Sequence, residues 1–245
     1  MQNAAVGIAL SAIAGSFAVL GAVLCVMLPV SQRTLAVCLA FAGGVMVTLS
    51  LGDLVPEALS SALSLFGHFE GTLAVLAAML FGMAISLALD YILPQDDSGL
   101  MRLGLLSGVA LMLHNLPEGA AVFAGAGADI SKGASIAGAI ALHNLPEGIS
   151  IAMPVYAATK SRLKAIGAAF VSAVSEPLGA VIALIATGGK VSERSLCIIF
   201  SLAAGLMICL SFSELFPEAM SRSTKGAAFG ALLGAGIMIL GLAVF

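Results

Sequence analysis

Residues Leu113–Gly119 read Leu-His-Asn-Leu-Pro-Glu-Gly, and residues Leu142–Gly148 read Leu-His-Asn-Leu-Pro-Glu-Gly again. Each copy lies inside an apolar run long enough to cross a bilayer, for which a helix needs about 20 residues. Ionisable side chains are costly at that depth and mark function by default. On a helix, His114 and Glu118 stand four residues apart and Asn115 and Glu118 three apart, so all three project from one face. His143, Asn144 and Glu147 repeat the arrangement. Two such helices facing each other would gather two imidazoles, two amides and two carboxylates, the donor set of a divalent-metal site inside a membrane.

The surrounding composition agrees. Of 245 residues, 60% are hydrophobic and 9% charged, against about 25% charged in an ordinary soluble domain. That predicts an all-α integral membrane protein, since barrel strands would be far shorter and would alternate. The net charge of −3 is too small to point to any partner, and without a basic patch no nucleic-acid partner is expected. The expected partners are the lipid bilayer and metal ions. No Lys or Arg precedes Arg33, so the first apolar run reads as a retained span and not a cleaved signal. Cys25, Cys38, Cys197 and Cys209 form no C-x-x-C pair and read as small core-filling residues.

Eight spans are predicted, at about 4–28, 34–57, 71–93, 102–126, 134–157, 164–187, 195–219 and 226–244. With both termini on the outer side, the cytoplasmic loops hold Arg33, Arg102, Lys160, Arg162, Lys164, Arg222 and Lys225, and the outer loops Lys132, Lys190 and Arg194. The bias of seven against three sets that orientation. A second repeat flanks the first. Gly43–Ser60 (GGVMVTLSLGDLVPEALS) and Ala204–Ser221 (AGLMICLSFSELFPEAMS) share nine of eighteen positions, among them Met46/Met207, Ser50/Ser211, Pro56/Pro217 and Glu57/Glu218. Spans 2 and 7 are five crossings apart and run in opposite directions. The expected architecture is therefore one transporter domain in a 3+2+3 inverted repeat: residues 1–93, a central pair 102–157, and residues 164–244.

Glu176, in Ser175-Glu176-Pro177, falls in the middle of span 6, where its repeat partner is Gly15, and reads as a further ligand. Pro117 and Pro146 free the carbonyls of Leu113 and Leu142 and are expected to kink both helices. The glycines that follow permit close helix approach. The donors are nitrogen and oxygen without thiolate, which suits zinc, iron(II) or manganese and not copper(I). Two carboxylates with different neighbours fit a pair of ions. One position would use His114, Glu118, His143 and Glu147; the other, Asn115, Glu118, Asn144, Glu147 and Glu176. Asp53 with Glu57 and Glu214 with Glu218 are i, i+4 pairs near opposite mouths and read as an entrance and exit relay, against their being plain interfacial acids. Met46 and Met207 are packing residues or soft ligands, while His68, Glu70, Asp96 and Asp97 read as solvated loop residues.

At these residues the chain resembles the ZIP family of divalent-metal transporters, most of all its short prokaryotic branch. The resemblance rests on His114–Gly119, His143–Gly148, Ser175-Glu176-Pro177 and the 3+2+3 pattern, and covers essentially the whole chain. It implies uptake of divalent metal into the cytoplasm across a bacterial inner membrane, with zinc first and iron, manganese and cadmium as further cargo. It also implies a binuclear site between spans 4, 5 and 6, a homodimer, and an elevator-like motion of spans 1, 4, 5 and 6 against spans 2, 3, 7 and 8. No prosthetic group is expected. Many relatives have a long His-rich loop between spans 3 and 4; here Pro94–Arg102 is short and lacks His, so no metal-sensing role is carried over to it. The alternatives are a metal-selective channel and an intramembrane di-metal enzyme. The enzyme is disfavoured because neither Glu-x-x-His nor His-Glu-x-x-His occurs.

Overall fold

The computed structural model describes residues 2–93, 99–188 and 191–244. Asp96, Asp97 and Lys190, each assigned to a loop above, lie outside these residues. Among the described residues every regular element is helical: α1 (Gln2–Val26), α2 (Gln32–Leu49), a π segment (Ser50–Leu54), α3 (Val55–Phe66), α4 (His68–Ile92), α5 (Leu100–Ala128), α6 (Ile130–Thr159), α7 (Arg162–Ala173), α8 (Ser175–Thr187), α9 (Glu193–Leu210), a second π segment (Ser211–Leu215), α10 (Phe216–Arg222) and α11 (Thr224–Val244).

Among the described residues, seven helical stretches are long and apolar enough to cross a membrane, with α2–α3, α7–α8 and α9–α10 each counting as one. The chain is an integral membrane protein. The remaining long helix, α6, has 30 residues but is less apolar, because it carries Lys132, His143, Asn144 and Glu147 among its small residues. The second stretch runs on to Phe66, past the expected end at Glu57.

Both π segments stand immediately before a Val-Pro or Phe-Pro step. Pro56 and Pro217 lack an N–H, and their rings would strike the carbonyl four residues back in a regular α-turn; a wider turn avoids the clash. Val55 N–H bonds to Ser50 O, and Phe216 N–H to Ser211 O. The two sites occupy equivalent places in the repeated sequence. They also touch: Ser50 Oγ lies 3.9 Å from Met207 Sδ, and Ser211 Oγ lies 3.9 Å from Met46 Sδ. Both methionines are fully buried. That reciprocal contact assigns Met46 and Met207 to packing.

The helices pair off in two groups. In one, α1 packs on α6, α5 on α8, and α5 and α6 lie side by side with α7 against them; in the other, α2 packs on α11 and α4 on α9. The turn between α5 and α6 sets the depth of the doubled motif. Asp129 alone separates them, and its carboxylate accepts the N–H groups of Ser131 and Lys132 as the N-cap of α6. His114 is 14 residues before the end of α5 and His143 is 13 after the start of α6 (128−114 and 143−130), so the two motifs face each other at one level.

Candidate metal centre

His114, Asn115, Glu118, His143, Asn144, Glu147 and Glu176 are all buried, none more than 4% exposed. Glu118 Oε1 lies 3.0 Å from His114 Nε2 and 2.7 Å from His143 Nε2. Glu147 Oε1 approaches His114 Nε2 from the other helix at 3.6 Å. Ligand atoms of His114, His143 and Glu147 fall within 4.8 Å of one another, close enough to hold one metal ion. The amides form the adjacent part. With its nitrogen turned toward them, Asn115 donates to Leu111 O at 2.8 Å and to Glu147 Oε2 at 3.2 Å. Asn144 Nδ2 donates to Glu176 Oε2 at 2.7 Å and to Ala14 O at 3.0 Å. Glu147 thus faces His114 with one oxygen and Asn115 with the other.

Local sequence explains how these side chains come so near. A Cβ on Gly119 would fall 1.8 Å from Glu176 O, and one on Gly148 would fall 1.8 Å from Ala18 O. The last residue of each motif therefore brings α8 or α1 into direct backbone contact. Gly15, the repeat partner of Glu176, turns out to lie against Glu176 itself: its Cβ would sit 3.0 Å from Oε2. Both α5 and α6 continue as unbroken helix through Pro117 and Pro146. A break falls at Val174, before Pro177, where α7 gives way to α8 and Glu176 stands in the first turn.

A cavity of about 260 Å³ reaches Glu118 and His143 from the end of the molecule where α5 turns into α6. Asp53 and Ser135 are its other polar wall residues. Of the four relay acids, only Asp53 lines this cavity; Glu57 is exposed elsewhere on α3. Glu214 and Glu218 each face an arginine. Arg102 Nη1 is 4.0 Å from Glu214 Oε2 while its Nη2 is bonded to the carboxylate and the carbonyl of Asp90. Arg222 Nε is 2.8 Å from Glu218 Oε1. In the sequence Arg102 reads only as a loop charge and is not paired, although opposite charges twelve residues apart across a short loop are a usable signal for Asp90. His68 and Glu70 are exposed, and all four cysteines are buried and free. On the far face of α5, a largely apolar groove of about 430 Å³ lies between α5/α8 and α4/α9 and touches His114.

Comparison with known proteins gives a consistent set of likenesses. The family model described as ZIP Zinc transporter matches residues 93–241. The chain is similar to the zinc transporter ZupT of Akkermansia muciniphila, 36% identical over 76% of this chain and 77% of that protein. It is similar to that of Stenotrophomonas maltophilia, 34% identical over 88% and 86%. It is also similar to that of Salmonella newport, 37% identical over 96% and 95%.

Proposed function

Since the chain belongs to the ZIP family of zinc transporters and is a divalent-metal transporter, not an enzyme, we propose that it carries zinc into the cytoplasm through the cluster of His114, Asn115, Glu118, His143, Asn144, Glu147 and Glu176. The observation that carries this reading is the convergence of Glu118 and Glu147 on two histidine Nε2 atoms in the protein interior. Buried carboxylates need a counter-charge, and a divalent cation between four such atoms supplies it. Imidazole and carboxylate in a tetrahedral arrangement suit zinc. Iron(II), manganese(II) and cadmium(II) accept the same donors and are further cargo. The imidazole side and the amide side are two ion positions that share Glu118 and Glu147, with Glu176 serving the second.

The chain crosses a bacterial inner membrane eight times, α6 included, in the 3+2+3 arrangement with both termini outside. Residues 1–93 and 164–244 are the repeats and 102–157 the central pair. The matched π segments and the crossed Met–Ser contacts support that symmetry. The cavity holding Asp53 is then the outer mouth, where a negative group raises the local cation concentration. Toward the other end, Leu111, Ile151 and Met153 are fully buried. A cavity at one end and a closed layer toward the other support alternating access over an open channel. The apolar groove between α5/α8 and α4/α9 supports a sliding of one helix group past the other. The family likeness extends the reading to a homodimer and to release past Glu214 and Glu218, which their arginines must first give up.

The test is flux of zinc, iron(II), manganese(II) and cadmium(II) into proteoliposomes, with and without a pH gradient. Saturable zinc uptake is expected. Flux that does not saturate would favour the channel, and no flux of any of the four would sink the reading.

A further inference from the structure

The two groups of helices are parted at one end and pinned at the other. The cavity is the parting: its walls come from Leu49, Asp53 and Leu242 of one group and from Glu118, Ser135 and His143 of the other. The pin is Arg102 of α5. Its Nη2 is bonded to the carboxylate of Asp90 on α4 and donates to Asp90 O at 2.9 Å, and its Nη1 lies 4.0 Å from Glu214 Oε2 in the second π segment. All three side chains are partly buried. The other ion pairs among the described residues stay within one group: those of His114 and His143 in the central cluster, and Arg222 with Glu218 on α10.

The repeat gives this asymmetry a direction. Asp53 and Glu214 hold equivalent places, one in each π segment. Asp53 shares a wall with Glu118 and His143. Glu214 stands level with Arg102, sixteen residues from Glu118 and so about 24 Å along α5. The cluster is therefore displaced toward Asp53, away from the midpoint between the two acids. An inverted repeat implies a counterpart arrangement in which the cluster lies beside Glu214. Sliding α5 and α6 together, away from the cavity end, reaches it. That movement carries Arg102 out of contact with Asp90 and Glu214, and it carries Lys132 toward Asp53. Lys132 stands eleven residues before His143 as Arg102 stands twelve before His114, so each central helix bears a cation near its start. Lys132 is exposed, one turn before Ser135 on the face of α6 that lines the cavity.

We propose that Arg102 and Lys132 are alternating latches: Arg102 holds Asp90 and Glu214 while the cavity end is open, and Lys132 closes on Asp53 when the opposite end opens. The inference rests on the transport reading above and names the residues that hold each of its two states. Both are positioning residues, and neither touches the ion. Partly exposed ion pairs suit the task, because each is weak enough to be broken in every cycle.

The experiment uses the full chain in proteoliposomes. The wild type, whose four cysteines are buried, controls for the reagent. In Asp90→Cys/Arg102→Cys, a short bis-methanethiosulfonate tether should stop zinc uptake, and reduction should restore it. In Asp53→Cys/Lys132→Cys, the same reagent should bridge the pair. Adding Arg102→Gln should speed that bridging roughly twofold to fivefold, the population shift expected from losing a partly exposed ion pair. A change that merely weakened the fold would lower the melting temperature and leave the bridging rate alone. Uptake that continues at the untethered rate in the bridged Asp90→Cys/Arg102→Cys protein overturns the proposal. So does an Asp53→Cys/Lys132→Cys pair that never bridges, or that bridges at a rate indifferent to Arg102→Gln. If Arg102→Gln fails to fold, Asp90→Asn loosens the same latch and takes its place, with the same outcomes. A wild type that moves no zinc would overturn the transport reading, while the bridging rates would still judge the latches.

Discussion

Glu118 meets both imidazoles, and Glu147 divides its two oxygens between His114 and Asn115. Neither role has a local substitute. Glu118→Ala and Glu147→Ala should each reduce zinc flux by more than about 100-fold, beyond what losing an outer-sphere partner costs, while the variants still insert and melt cooperatively. Wild-type flux in either would remove the cluster from the path. Gly148→Ala tests the backbone contact that holds α6 to α1. Its Cβ would meet Ala18 O, so a loss of at least about 1–3 kcal/mol is expected, read as a lower melting temperature in detergent. An unshifted melt would mean that α1 simply moves aside. At this scale most of the site was legible, because a doubled heptapeptide states its own importance. Less legible were contacts fixed by packing between distant residues: Ala14 O as a partner of Asn144, and Gly15 against Glu176.

The π segments put Asp53 and Glu214 at equivalent places and into different surroundings. Asp53 opens onto the cavity, Glu214 faces Arg102, and Glu57 does neither. The entrance pair read from sequence thus divides. Asp53→Asn should raise the apparent KM for external zinc by at least about threefold at low salt, the effect shrinking as salt rises, and Glu57→Gln should leave it unchanged. Equal effects from the two, measured as initial uptake rates against zinc concentration, would mean that i, i+4 spacing and not the cavity decides. Spacing alone predicted a shared role because it assumes a regular helix. Nothing in Ser-Leu-Gly-Asp-Leu announces a wide turn; the signal was the proline that follows, and it was read only as a conserved step of the repeat. The central helix α6 shows the opposite limit. Its polar motif was the clearest feature in the sequence, and that same polarity leaves it the least apolar of the long helices.

For the whole molecule, the charge bias of the loops predicts where the ends lie. A tag at either terminus should be reached by a membrane-impermeant reagent in intact spheroplasts; labelling only after lysis would invert the topology and exchange the two mouths. That the chain is built of long apolar helices was readable because a bilayer fixes helix length. How the helices pair was not, because that depends on which glycines let backbones touch. The crossed contacts of Met46 with Ser211 and Met207 with Ser50 have a wider meaning. Residue i of one unit meeting j of the other, and j meeting i, is the self-complementary pattern of two subunits around a twofold axis. Here both surfaces of that joint come from one chain, in the matched stretches around Ser50 and Ser211, so a single polypeptide holds within itself the kind of contact that two subunits make.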